Sequence, residues 1–160
     1  MQTWFTCKIK YTKIDDHGKM ARVSETYLVD AINFTEAEKR IFEIMEKYVS
    51  GDIEVVGISR TNFTEIFNYD DGQYWFKAKV NWSIFDENSS KETKVSNQML
   101  VAANNVREAY DRIAENLSTM LVPVEINAVS LSPILDVFPL FAEEEDHSEF
   151  NNLKEIQDIE

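Results

Sequence analysis

Glycine, proline, histidine and cysteine are all scarce in this 160-residue chain, at four, three, two and one copies. Four glycines leave little for a phosphate-cradling loop once turns are supplied, and no GxGxxG, Walker A, GxSxG, HExxH or CxxC pattern occurs. The single cysteine, Cys7, excludes an internal disulfide, and its place on the apolar side of an alternating segment reads as a small core residue. His17 falls in a turn and His147 near the C-terminus, which argues against a histidine-based triad or a rigid metal shell. The N-terminal MQTWFTCKIK lacks the uninterrupted apolar core of a secretory signal, and no stretch is long enough to span a bilayer. The expectation is a cytoplasmic protein with no membrane contact, no cofactor and no metal. Paired carboxylates at Asp15–Asp16 and Asp70–Asp71 adjoin glycine and read as turn chemistry. The run Glu143–Asp146 imposes no coordination geometry on a divalent ion.

What is present is a segment said twice. TWFTCKI at residues 3 to 9 returns as YWFKAKV at 74 to 80. An offset of 71 places Trp4 on Trp75, Phe5 on Phe76 and Lys8 on Lys79. An offset of 72 matches YLVDAINFTEA with MLVAANNVREA and carries Arg40 and Ile41 onto Arg112 and Ile113. Returning to 71 aligns EVVGISRTNFTEIF with EINAVSLSPILDVF. Ordered identities with a one-residue shift point to an internal repeat.

Each copy has the same local grammar. Phe5, Cys7, Ile9 and Tyr11 alternate with Trp4, Thr6, Lys8 and Lys10, the period of two of a half-buried strand. The turn DDHG then leads into a second strand through TYLVDA. Asn33 and Glu36 form a helix-start signature, Thr35 with Glu38 competes, and Ala37, Ile41, Ile44, Met45 and Tyr48 follow at helical spacing. A helix is predicted over about residues 34–49, then one long bent strand running to Phe67. The second copy predicts strands 74–85 and 94–103, a helix over about 105–120 and a strand 124–138 with an edge or bulge at Pro133. The predicted fold class is α+β: two tandem β-β-α-β repeats, about 3–67 and 74–138, packed with pseudo-twofold symmetry within a domain spanning 1–141. Exposed third-strand edges would also allow a homodimer.

Acidic residues outnumber basic ones 29 to 16, and the excess is uneven. Residues 142–160 carry eight carboxylates against Lys154 alone, which reads as a solvated acidic C-terminal tail. Within it Phe150, Leu153, Ile156 and Ile159 follow helical spacing, a stripe able to dock on a partner or on the body. The other candidate surface is the repeated strand. Trp4, Lys8 and Lys10 share one face, as do Trp75, Lys77 and Lys79, and indole beside ammonium suits stacking on a base with lysines on phosphate. The plain alternative is that the two tryptophans pack in the interior and lysine stems cover them.

The opening Trp4–Tyr11, the segment Tyr27–Glu38, and the endings Glu65–Phe67 and Asp136–Pro139 resemble an uncharacterised domain-of-unknown-function family of Bacteroidetes and their bacteriophages. The resemblance covers about residues 3–140 and implies a bacterial or phage intracellular setting, without an activity. Three function classes follow. A noncatalytic binding or interaction protein engaging a host or phage macromolecule, with an unidentified protein partner, fits best. A nucleotide or single-stranded nucleic-acid binder would use the Trp and Lys face. An acidic nucleic-acid mimic would rest on the net charge of −13 and the tail.

Overall fold

The computed structural model describes residues 3–140, so the 142–160 tail with Phe150, Leu153, Ile156 and Ile159 lies outside the described residues. Among the described residues the fold is mixed α and β, with eight strands in two sheets and two helices. In order these are β1 (Thr3–Ile14), β2 (Met20–Ala31), α1 (Phe34–Glu46), β3 (Ile53–Arg60), β4 (Phe63–Phe67), β5 (Tyr74–Asp86), β6 (Lys91–Ala103), α2 (Val106–Asn116), β7 (Val124–Leu131) and β8 (Ile134–Phe138).

The first hairpin pairs β1 with β2 from Thr3↔Ala31 to Ile14↔Met20. Its turn is an Asx turn: Asp15 Oδ1 accepts from the amides of His17 at 2.9 Å and Lys19 at 2.8 Å. Phe5, Cys7 and Ile9 of β1 and Val29 and Ala31 of β2 face α1, meeting Ala37, Ile41, Ile44 and Met45 in one core. The second hairpin pairs β5 with β6 from Tyr74↔Ala103 to Asp86↔Lys91. There Phe76, Ala78, Val80, Met99, Val101 and Ala103 meet Ala109 and Ile113 of α2. The alternation read from sequence is therefore the alternation that builds both cores.

Both helices start at the asparagine. Asn33 Oδ1 accepts from Glu36 N at 2.9 Å while the Glu36 carboxylate reaches back to Ile32 N at 3.3 Å. Asn105 accepts from Glu108 N at 2.8 Å, and Glu108 reaches Asn104 N at 3.1 Å. These reciprocal bonds satisfy amide protons that the first turn leaves free. The helices end earlier than the periodicity suggests, at Glu46 and Asn116.

The predicted long third strands are each two strands. β3 stops at Arg60, where Thr61 N and Oγ1 both donate to Trp4 O, at 2.9 and 3.0 Å. β7 stops at Leu131, where Ser132 N donates to Trp75 O at 2.8 Å and Pro133, which has no amide proton, follows. The continuations change sheet. The sheet orders are β3-β1-β2-β8 and β4-β6-β5-β7, so β4 joins the later hairpin and β8 the earlier one. β4 runs parallel to β6, with Phe67 against Val101. A repeat that completes its own sheet is thus replaced by a reciprocal exchange of last strands. The chain divides into two compact units accordingly: one ends at Thr61 and resumes at Asp136, and the other spans Asn62–Leu135. No helix among the described residues is long and apolar enough to cross a membrane.

Candidate functional site

Each sheet has a face turned away from its helix, and those faces carry the residues that sequence patterning singled out. In the first unit Trp4 is half-buried while Lys8 and Lys10 are exposed. In the second, Lys77 and Lys79 are exposed, but Trp75 is only 6% exposed. An indole so covered presents no free face to a base, so a stacking ligand would have to engage Trp4. Leu28, opposite Thr6, and Leu100, opposite Lys77, are fully buried on the same faces, so burial at one end of each face gives way to charge at the other.

Toward the hairpin tip of the second unit the polar face deepens into a cavity of about 490 Å³. It is lined by Asn81, Trp82, Ser83, Glu92, Lys94, Pro123 and Glu125. The strands explain the convergence. Asn81 of β5 lies opposite Ser96 of β6 and Glu125 of β7, and Ser83 lies opposite Lys94. A register shift between Lys79 and Val80 marks a bulge in the β5–β7 pairing just before this point, the kind of irregularity that re-aims edge side chains. Lys94 Nζ sits 3.2 Å from Glu125 Oε2, with both side chains more than half exposed. Asn81 is 8% exposed, and its Oδ1 has no hydrogen-bond partner among the described residues. A buried amide oxygen without a donor is costly, which makes Asn81 the chemically conspicuous member of the lining. Sequence reasoning passed over it because NWS in a strand reads as ordinary polar-face alternation.

Other polar groups are committed to structure. In the first unit Arg40 Nη1 binds Asp30 Oδ1 at 2.7 Å and Phe138 O at 3.4 Å, and Asp30 Oδ1 also accepts from Leu140 N at 2.8 Å. In the second, Arg112 donates to Ala102 O at 2.7 Å, grips both Asp71 oxygens at 2.9 Å, and lies 4.2 Å over the Tyr69 ring. The segment NYDDGQ, residues 68 to 73, is thereby part of the second unit. Glu25 accepts from the hydroxyls of Tyr11, at 2.7 Å, and Tyr27. Burial, then the hydrogen bond and charge of Glu25, push the Tyr11 hydroxyl up to about 12 and raise that of Tyr27 as well. Burial pushes the Cys7 thiol up to about 12, with the Arg40 charge pulling weakly the other way. A thiol so protonated at neutral pH is a core atom, not a nucleophile. Among the described residues no group of three or more His, Cys, Asp or Glu side chains could hold a metal ion.

The arrangement is that of a mixed α and β protein with two four-stranded sheets and a polar cavity on the helix-free face of one of them. The chain belongs to the domain of unknown function family DUF4494, whose model matches residues 3–140. No curated protein matches it.

Proposed function

We propose that this is a noncatalytic binding protein, with a protein partner that it meets through the helix-free face of the second unit. The cavity at Asn81 is the observation that carries this reading: a polar recess with the exposed side chains of Glu92, Lys94 and Glu125 in its lining. The raised Cys7 and tyrosine hydroxyl pKa values favour inert, protonated side chains. The setting is the cytoplasm of a bacterium of the Bacteroidetes, or of a phage-infected cell, as the resemblance in sequence suggests. Tandem duplication with a pseudo-twofold relation is part of the proposal. Its support is the matched order of elements, the matched Asn–Glu caps, and bulges at Lys8/Ile9 and Lys79/Val80.

The test is affinity capture from the native host on the immobilised full chain, compared with a Glu92→Lys/Glu125→Lys variant. A partner retained by the first and lost from the second supports the assignment; retention by both removes the cavity from it. The exposed Lys8, Lys10, Lys77 and Lys79 favour a second reading, a single-stranded nucleic-acid surface. Tryptophan fluorescence titrated with oligonucleotide at two salt concentrations distinguishes it, since lysine–phosphate contacts weaken steeply with salt.

A further inference from the structure

We propose that the acidic segment 142–160 is the occupant of the lysine-bearing sheet face of the first unit, where it seats on Lys8 and Lys10 and screens them from other anions. This goes beyond the binding-protein reading and does not depend on it. The face is the helix-free side of β1, β2 and β3, on which Lys8 and Lys10 lie opposite Thr26 and Ser24 of β2. Both lysines are exposed, and among the described residues neither forms an ion pair. The carboxylate opposite Lys10 on β3, that of Glu54, is engaged by Arg22 at 2.6 Å. Two neighbouring cations therefore stand without counter-charge in a chain of net charge −13.

Charge is the first ground for choosing this occupant. Residues 142–160 carry −7, which leaves the rest of the chain at −6. Such a body repels the segment except where cations gather without carboxylates of their own, as at Lys8 and Lys10. The second ground is the place where the described chain ends. β8 borders β2, and Leu140 N donates to Asp30 Oδ1 at 2.8 Å, so the segment departs from the edge of this sheet and belongs to this unit. Thr26, opposite Lys8, is four residues along β2 from Asp30, about 13 Å at the rise of a strand. Glu143–Asp146 follow Leu140 by three to six residues, which span up to about 10–20 Å when extended. The carboxylate run thus reaches both lysines. Exposed carboxylate–ammonium pairs are individually weak, so seating takes several at once and a tether that keeps the segment near. Lys77 and Lys79 offer similar chemistry on the unit that the segment does not leave from.

The experiment is paramagnetic broadening in the full-length, ¹⁵N-labelled chain with a nitroxide on Ser148→Cys; the native Cys7 is buried and does not compete for the label. At low salt the amide resonances of Lys8, Lys10 and Thr26 are expected to lose at least half their intensity, while those of Ile113 in the α2 core stay sharp. At about 0.5 M sodium chloride the loss is expected to disappear. Neutralising the run, Glu143→Gln/Glu144→Gln/Glu145→Gln/Asp146→Asn, is expected to abolish it as well. No broadening at Lys8 and Lys10 overturns the proposal. Broadening that survives neutralisation overturns the charge assignment and gives the seating to the Phe150 stripe. Equal broadening when nitroxide-bearing ¹⁴N chain is mixed with unlabelled-thiol ¹⁵N chain assigns the contact to a second copy, and overturns seating within one chain. Screening is read with oligothymidylate as the anion: the neutralised chain is expected to bind it about fivefold tighter than the parent, and Lys8→Gln/Lys10→Gln in that chain to cancel the gain. Equal affinity of parent and neutralised chain, or no binding by either, overturns the screening role.

Discussion

The position that holds Glu25 in the first unit holds Asn97 in the second: Glu25 lies opposite Ile9 in its hairpin, and Asn97 lies opposite Val80. Their surroundings differ. Two tyrosine hydroxyls donate to the Glu25 carboxylate, so that charge is satisfied by neutral donors. Around Asn97 stand Met99 and Trp82, members of or neighbours to the apolar core, and its Nδ2 is buried without a partner. A similar divergence occurs one residue away on the opposite face. Lys10 is exposed opposite Glu54, whereas Asn81 is buried opposite Glu125. The two units share backbone register and differ in how polar groups are completed. In the first unit completion is internal; in the second two amides are left with unused capacity, and one of them lines a cavity.

The largest effect should come from the buried arginine of the first unit. Asp30 and Arg40 side chains are 9% and 8% exposed, so Arg40→Met leaves a carboxylate without its cation and should cost about 3–5 kcal/mol by chemical denaturation. Arg112→Met should cost clearly less, on the order of 1–2 kcal/mol, because Asp71 is 71% exposed and returns to water. Equal losses would break the contrast between the two units.

Trp75→Ala follows at about 3–5 kcal/mol, the usual range for truncating a buried aromatic, while Trp4→Ala, at a half-buried position, should fall below it. A Trp75→Ala chain that melts like the parent would return this indole to the list of ligand-facing residues.

Glycine sharpens the comparison differently. A Cβ on Gly72 would lie 2.6 Å from the Ala102 carbonyl carbon and from Ala103 N, so the turn could not stay seated on β6. Gly72→Ala should cost about 1–3 kcal/mol. Gly57, with nothing within 4 Å, should accept alanine with little change.

The tyrosine and cysteine groups of the first unit give it an alkaline signature. Their folded pKa values lie above the ordinary ones, so the folded state keeps protons that the unfolded chain releases. Their contribution is intact below about pH 9 for Cys7 and pH 10 for Tyr11, the unfolded values, and is lost as pH rises toward about 12. Stability measured across that window should decline, and the decline should be shallower in Tyr11→Phe. An identical slope in that variant would remove Tyr11 from the account.

Much of this frame was legible in the chain because it is local. Period-two alternation identified Phe5, Cys7, Ile9, Phe76, Ala78 and Val80 as the helix-facing residues, and Asn33 with Glu36 identified the first helix start. Asp15 in DDHG behaved as turn chemistry. What escaped depends on partners distant in sequence. The exchange of β4 and β8 was invisible because a β-branched run looks the same whichever sheet it enters. Asp71 was read as a turn residue, yet its partner Arg112 is 41 residues away. The cavity needs Asn81, Lys94 and Glu125 from three strands, and no short pattern contains all three.

The smallest expected effect concerns an ion pair that both units have among the described residues. Arg22 with Glu54, at 2.6 Å, and Lys94 with Glu125, at 3.2 Å, link the second strand of each hairpin to the edge strand, and all four side chains are more than half exposed. Exposed pairs contribute roughly 0–1 kcal/mol, and arginine, with a planar fork, holds a carboxylate better than lysine does. A double-mutant cycle on each pair should therefore give coupling energies of about 0.5 kcal/mol or less, with the Arg22 pair the larger, and both should shrink further at high salt. The order matters more than the size. If Lys94 and Glu125 coupled as strongly as Arg22 and Glu54, the second pair would be a structural tie like the first, and the looser lysine geometry would not be what separates the two units.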